Sequence, residues 1–184
     1  MTSRPAGGKG SHAPSVIVIM GVSGSGKSTI GAQLARSLGW DFLEGDSFHS
    51  AANVEKMSAG TPLTDEDRAP WLQAIGDAVQ RLRHDGCCAV VACSALKHSY
   101  RELLSIDPDT VAFVYLHADF SLLEKRLSSR RGHFMKVEML KSQLETLEEP
   151  HDALRVEASE PAEQLIEEIK QKLGLAPATA HQSE

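Results

Sequence analysis

The 184-residue sequence has few cysteines, no long hydrophobic run and no excess of basic charge. Its three cysteines, Cys87, Cys88 and Cys93, follow neither the pattern of a disulfide framework nor that of a zinc site, which indicates a reducing compartment. The formal net charge is −6 at pH 7, whereas a nucleic-acid-binding surface normally requires a basic stripe. The composition therefore argues against a nucleic-acid partner.

The longest apolar run near the amino terminus is Val16–Met20. It is too short for the apolar core of a secretory signal or for a membrane span. We therefore expect a soluble, cytoplasmic protein without a membrane partner. The chain length predicts one domain, at 15–174. Residues 1–14 are rich in Gly, Ser, Pro and Lys, so we expect a disordered leader there and a flexible tail at 175–184.

A glycine-rich segment follows this apolar run directly. Residues 21–28 have the Gly-x-x-x-x-Gly-Lys-Ser spacing of a phosphate-binding P-loop. Glycines let the chain curl so that backbone N–H groups point at an anion, and the positive end of a helix adds to the attraction. Lys27 can neutralise the outer phosphates, and the Ser28 hydroxyl can bind Mg²⁺. The predicted nucleotide-binding residues are Gly21, Val22, Ser23, Gly24, Ser25, Gly26, Lys27, Ser28 and Thr29.

Five strand-like segments alternate with helical periods along the chain. Two of them, 88–92 and 111–116, are continuous apolar runs, as expected for parallel strands buried on both faces. The alternation predicts an α/β fold with a doubly wound, five-stranded parallel sheet and helices on both faces. Thr64 and Asp67 predict a capping box, Pro70 should lie in the first turn of that helix, and Pro161 should open the last helix.

Ligands of such sheets bind at the carboxyl ends of the strands. Asp46 directly follows the second strand, so it should face the P-loop across the cleft. Phosphoryl transfer from a bound nucleotide needs a group that accepts the proton of the attacking hydroxyl, and Asp46 is our candidate for that base or orienting residue. Asp46 could instead be a helix N-cap, or it could help to hold Mg²⁺. The second alternative arises because the third strand ends without a carboxylate that could hold the metal.

Positive charge for the transferred phosphoryl group could come from Arg126 and Arg130, which share a helix face, with Arg131 beside them. A solvated basic face is the alternative. The adjacent residues 132–134 form a flexible break of the kind that a closing lid needs, so we predict a lid at about 126–140. We place His133 of this lid among the substrate-binding residues.

Several polar residues are expected beside the cleft. His49, Asn53, Lys56 and Arg68 occupy one segment, and Lys97 follows the third strand. Donors of this kind suit a polyhydroxylated acid, with Arg68 or Lys97 on its carboxylate. His49 is equally consistent with a local turn contact, and Trp71 with core packing.

Together these motifs resemble the gluconate kinase family, a branch of the P-loop small-molecule kinases related to shikimate and nucleoside monophosphate kinases. The resemblance covers 16–173 and depends on 21–28, on Gly45 and Asp46 with His49 and Asn53, and on 62–68, 70–72, 93–97, 100–101, 132–134 and 145–148. It implies a nucleoside-monophosphate-kinase-like fold and ATP-dependent, Mg²⁺-requiring phosphorylation of D-gluconate to 6-phospho-D-gluconate. Members of this family are often homodimers, so a homodimer is expected. Ser50 and His98 depart from the family's usual residues.

Other functions remain open at this point. A shikimate-type kinase should carry a Gly-Gly-Gly turn after the third strand, and an adenylate-type kinase an Asp-Gly-Phe-Pro-Arg segment; neither occurs in the sequence. A GTP-dependent switch should carry Asn-Lys-x-Asp and Asp-x-x-Gly, which are also missing and thereby favour ATP. A kinase of another small hydroxylated acid and a non-catalytic nucleotide-binding regulator are the alternatives.

Overall fold

The computed structural model describes residues 13–105, 109–129 and 137–175. The expectations for Arg130, Arg131, His133, the leader before residue 13 and the tail after residue 175 lie outside these residues. The predicted α/β fold is confirmed. Its strands are β1 (Val16–Met20), β2 (Asp41–Glu44), β3 (Ala89–Ala92), β4 (Val111–His117) and β5 (Leu154–Glu157).

All strand pairs are parallel, and the order across the sheet is β2-β3-β1-β4-β5. In the centre of the sheet Ile17 pairs with Val90 on one side and with Ala112 on the other. The residues of β1 and β3 are all buried, which is why both strands are continuous apolar runs in the sequence. The P-loop follows the central strand, so it lies in the middle of the carboxyl edge of the sheet.

Helices cover both faces. They are α1 (Lys27–Leu38), α2 (Ala51–Ser58), α3 (Asp65–His84), α4 (His98–Leu104), α5 (Phe120–Ser129), α6 (Val137–Thr146) and α7 (Ala162–Lys172), and a short 3-10 helix spans Gly45–Phe48. Among the described residues no helix has the length and apolar character needed to cross a membrane.

The helix starts test three sequence expectations. The capping box is confirmed, because the Thr64 hydroxyl accepts from the Asp67 N–H at 3.3 Å and the Asp67 carboxylate accepts from the Thr64 N–H at 3.0 Å. Since this box starts α3 at Asp65, Pro70 lies in the second turn, and its predicted first-turn position is wrong. Pro161 was expected at the first residue of the last helix, but it is the N-cap of α7, which begins at Ala162. The predicted position is therefore wrong by one residue.

The side chains of β1 alternate between two cores. Val16, Val18 and Met20 pack with α3 and α4 on one face, whereas Ile17 and Ile19 pack with α1 and α7 on the other. A third, smaller cluster lies at the carboxyl edge and joins the P-loop to the helices beyond β4; its buried members are Val22, Leu96, Leu123, Leu127 and Leu140. This cluster fixes α5 and α6 against the P-loop.

Candidate active site

The P-loop adopts a conformation that its glycines make possible. Gly21, Gly24 and Gly26 have φ angles of +139°, +86° and +104°, which side chains with a Cβ rarely adopt. A Cβ on Gly21 would also lie 2.8 Å from the carbonyl oxygen of Leu116. Gly26 precedes α1 without a side-chain cap. The amino end of α1 is therefore not capped by a side chain and is suited to an anion.

Lys27 and Ser28 begin α1 beside this loop. The Lys27 ammonium donates to the carbonyl oxygen of Val22 at 3.0 Å, so it lies across the P-loop. Ser28 is exposed at the amino end of the helix. Among the described residues no group of three or more His, Cys, Asp or Glu side chains could hold a metal by itself. Ser28 together with nucleotide phosphates fits Mg²⁺, which prefers a few protein oxygens combined with substrate phosphates and water.

A cleft with about 610 Å³ of empty space, part of it open to solvent, lies on one side of the P-loop. It brings together Lys27 and three of the predicted substrate-binding residues, Asp46, His49 and Arg68. Its other lining residues are Ser23, Met57, Pro62, Leu63, Trp71, Ser94, Leu96, Met139, Ser142 and Gln143. We refer to this volume as the acceptor cleft.

Asp46 is held at the acceptor cleft by the packing of the residue before it. Gly45 lies so close to β3 that an added Cβ would collide with the carbonyl oxygen of Ala92. Its own carbonyl accepts the indole N–H of Trp71 at 2.7 Å. The N-cap alternative for Asp46 is wrong, because Ser50 caps α2 by accepting from the Asn53 N–H at 3.2 Å. The Asp46 carboxylate is exposed and lines the cleft.

His49 forms one wall of the acceptor cleft. Its ring stacks on Trp71 with 4.3 Å between centroids and 13° between planes. Burial lowers the pKa of His49, the Asp46 carboxylate opposes that shift, and the Arg68 guanidinium adds to it. Its Nδ1 atom is buried and has no hydrogen-bond partner among the described residues. His49 is thus a neutral, partly desolvated ring at pH 7.

Arg68 reaches the acceptor cleft from α3 with a side chain that is 16% exposed. Its guanidinium donates to the Tyr100 hydroxyl at 3.2 Å and lies 3.6 Å from the Asp65 carboxylate. The Tyr100 hydroxyl in turn donates to Asp65 through a short hydrogen bond. These contacts hold the guanidinium at the cleft wall.

Lys97 belongs to the same network but lies outside the cleft lining. Its ammonium donates to both carboxylate oxygens of Asp65, at 2.9 and 2.7 Å. Hydrogen bonds from Lys97 and then from Tyr100 lower the pKa of Asp65, while its bond to Asp65 raises the pKa of Lys97. In this arrangement Lys97 is placed to support Arg68 through Asp65. Asn53 and Lys56 likewise bond to Asp67 and join α2 to α3.

A second cleft, with about 490 Å³ of empty space, also borders the P-loop and shares no lining residue with the acceptor cleft. It is lined by Gly24, Ser25, Gly26, Thr29, Ile30, Arg126, Ala158, Glu160, Ala162 and Leu165. The Arg126 guanidinium donates to the carbonyls of Gly24 and Ser25 at 3.4 and 3.2 Å and to that of Ala158 at 2.6 Å. Arg126 therefore braces the P-loop against the segment between β5 and α7, away from the acceptor cleft.

Two structural contacts were not anticipated from the sequence. The Gln143 side chain, on α6, accepts the N–H of Ser23 in the P-loop at 2.7 Å. Arg101, which is 5% exposed, donates to the carbonyls of Ala95, Leu96 and Glu148 and so joins two loops behind the cleft. Arg101 stands in a recognised motif without an assigned role, whereas nothing in the sequence distinguishes Gln143 from other polar residues of an amphipathic helix.

Comparison with known proteins identifies close relatives. A family model described as shikimate kinase matches residues 23–173. The thermoresistant gluconokinase of Escherichia coli K12 is 44% identical over 84% of this chain and 91% of its own length. The gluconokinase of Gluconobacter oxydans 621H is 48% identical over 85% and 89%, respectively. The crystal structure of a gluconokinase from Sinorhizobium meliloti 1021 superposes with a TM-score of 0.79 at 44% identity, covering 88% of this chain and 93% of that one.

Proposed function

This chain belongs to the gluconokinase family of P-loop kinases, and we propose on that basis that it is a gluconate kinase. It transfers the terminal phosphoryl group of ATP to D-gluconate and releases ADP and 6-phospho-D-gluconate. The observation that supports this proposal is the acceptor cleft, in which the P-loop lysine faces a carboxylate, a neutral imidazole and a fixed guanidinium. A donor of phosphate and a polyhydroxylated acid can meet in such a cleft.

The donor binds in the P-loop. Backbone N–H groups of the P-loop and the amino end of α1 hold the ATP phosphates, while the N–H groups of Gly21, Ser23 and Ser25 stay bonded to Ser94, Gln143 and Val22. The Lys27 ammonium moves from the Val22 carbonyl to the outer phosphates. Ser28 would hold Mg²⁺, which would neutralise charge on the nucleotide phosphates. Arg126 braces the loop, and Arg130 remains a predicted source of positive charge for the phosphoryl group.

The acceptor binds in the cleft next to Lys27. The Arg68 guanidinium pairs with the gluconate carboxylate, and His49 donates or accepts as a neutral ring. Asp46 accepts the proton of the attacking hydroxyl while that oxygen forms a bond to the γ-phosphorus. The bond between the γ-phosphorus and the bridging oxygen of ADP breaks, and the electron pair leaves with ADP. Lys97 and His133 remain predicted substrate contacts.

The experiment is a coupled ADP-release assay on the full chain with gluconate, shikimate, AMP and several aldoses as acceptors. We expect turnover with gluconate and none with the others. Turnover with shikimate instead would favour the alternative kinase of another hydroxylated acid, to which the shikimate kinase family model points. ATP binding without turnover on any acceptor would identify a non-catalytic nucleotide-binding regulator.

A homodimer and a cytoplasmic location remain part of the proposal. Light scattering on the purified protein tests for the homodimer.

A further inference from the structure

The contact between Gln143 and the P-loop joins two segments far apart in sequence. Ser23 is the third residue of the P-loop, and its backbone N–H donates to the Gln143 side chain at 2.7 Å across a separation of 120 residues. Ser23 and Gln143 both line the acceptor cleft. Gln143 therefore lies where the phosphate-binding loop borders the acceptor.

This contact fixes the orientation of the Gln143 amide. A backbone N–H can only donate, so the atom that meets it is the amide oxygen and not the nitrogen. The amide nitrogen consequently points away from the Ser23 N–H. It carries two N–H groups, which donate and do not accept.

The helix that carries Gln143 is held by contacts on both sides of that residue along the chain. Leu140 is fully buried in the cluster with Val22 of the P-loop. Beyond the other end of α6, the Glu148 N–H donates to the Leu96 carbonyl at 2.9 Å, and the Glu148 carbonyl accepts from Arg101 at 3.1 Å. A side chain on such an element keeps its position more precisely than one on a loop.

We propose that Gln143 is an acceptor-binding residue, anchored by the P-loop, that donates from its amide nitrogen to a hydroxyl of the bound sugar acid. The inference rests on the proposed function. A polyhydroxylated chain offers several hydroxyl oxygens that accept, whereas Asp46 as a carboxylate can only accept and Arg68 is assigned to the acid group. Because Gln143 bonds to Ser23, the hydroxyl that it contacts lies near the end of the substrate that is phosphorylated.

The test uses Gln143→Met, which keeps the length of the side chain and removes the amide oxygen and nitrogen that form its hydrogen bonds. We expect the KM for gluconate to rise roughly 3- to 10-fold, as for the loss of one neutral hydrogen bond. The Kd of a non-hydrolysable ATP analogue, measured by calorimetry, should change less than about twofold. The side chain in Gln143→Ser is too short to reach either partner, so this variant should show the same rise in the KM for gluconate. Agreement between the two variants would show that the effect does not come from a folding defect of the methionine variant.

A series of deoxygluconates, each lacking one hydroxyl, identifies the contact. One analogue should bind the wild type more weakly than gluconate does, yet lose nothing further in Gln143→Met, because the two changes remove the same bond. Gln73→Met is the matched control, since Gln73 lies on α3 and bonds only to Asp77 among the hydrogen bonds described, at 2.8 Å. It should leave every constant unchanged.

The outcomes separate the two proposals. If the wild type fails to phosphorylate gluconate, the proposed function falls and this inference falls with it. If the wild type is active and the gluconate KM of both Gln143 variants is unchanged, only the inference is overturned. A change confined to nucleotide affinity overturns it too, because Gln143 would then only occupy the Ser23 N–H.

Discussion

The two sides of the active site are built in different ways. On the donor side, consecutive residues from Gly21 to Thr29 supply mostly main-chain N–H groups, and their conformation follows from local glycines and one helix start. On the acceptor side, side chains from the 3-10 helix, α3 and α6 meet only because the sheet and its cores bring these elements together. The donor side is therefore a local structure, whereas the acceptor side depends on tertiary packing.

This difference predicts which kinetic constant each substitution changes. Donor-side changes should act on ATP, and acceptor-side changes on gluconate or on the chemical step. A donor-side substitution that changed the KM for gluconate, or an acceptor-side substitution that changed the KM for ATP, would contradict this division into two sides.

The largest effect is expected for Asp46→Asn. The amide keeps the size of the side chain but cannot take the hydroxyl proton, so kcat should fall about 10²- to 10⁴-fold while ATP affinity barely changes. Steady-state kinetics and calorimetry with ATP measure the two quantities. Asp77→Asn, on α3 and outside the lining of both clefts, is the control. Unchanged turnover of the Asp46 variant would remove Asp46 from the role of base.

Lys27→Ala tests the donor side. The ammonium is proposed to stabilise the negative charge that develops on the transferred phosphoryl group, so kcat/KM for ATP should fall about 10²- to 10³-fold. The loss should be larger than that caused by Lys56→Ala, because Lys56 pairs with Asp67 on the outside of α3 at 2.7 Å. Retained activity would mean that the P-loop does not bind the reacting phosphates as proposed. Initial rates at saturating gluconate decide the matter.

The same division explains how much the sequence predicted. The apolar run Val16–Met20 is β1, and the helix that was expected to follow the P-loop is α1, which Gly39 ends in the left-handed conformation. The nucleotide-binding loop was predictable because its geometry is local. The pairing of Lys97 with Asp65 and the contact of Gln143 with Ser23 were not, because each joins residues separated by 32 or 120 positions. Spacing along the chain carries no signal for such contacts.

Arg126→Ala tests the brace on the donor side. The guanidinium donates to three main-chain carbonyls, two of them in the P-loop. Hydrogen bonds from a charged group stabilise more than neutral ones, so the KM for ATP should rise roughly tenfold. The KM for gluconate should stay unchanged. Its neighbour Lys125 is exposed, so Lys125→Ala provides the control. A selective rise in the gluconate constant would place Arg126 on the acceptor side instead.

Tyr100→Phe tests the support of Arg68. It removes the hydroxyl that accepts from Arg68 and donates to Asp65, without removing the ring. The guanidinium loses one partner, so the KM for gluconate should rise about 3- to 10-fold and that for ATP should not. Tyr115→Phe makes the same change on β4, outside both clefts. Equal effects of the two variants would show that the Tyr100 hydroxyl has no special role in acceptor binding.

The smallest effect concerns the pH dependence of stability at His49. Burial lowers its pKa in the folded protein below the value of about 6.5 in the unfolded chain, so the unfolded state binds the proton more readily. The contribution is complete above that unfolded value, and stability is lost as the pH falls from there through the lowered folded pKa. Thermal melting of the wild type should therefore drop faster with acidification than that of His49→Gln. His84→Gln, at an exposed ring, should follow the wild type. If the melting temperatures of the wild type and His49→Gln fell in parallel with pH, the acceptor side would tolerate a charged imidazole. The contrast between the acceptor side and the charge-binding donor side would then be weaker.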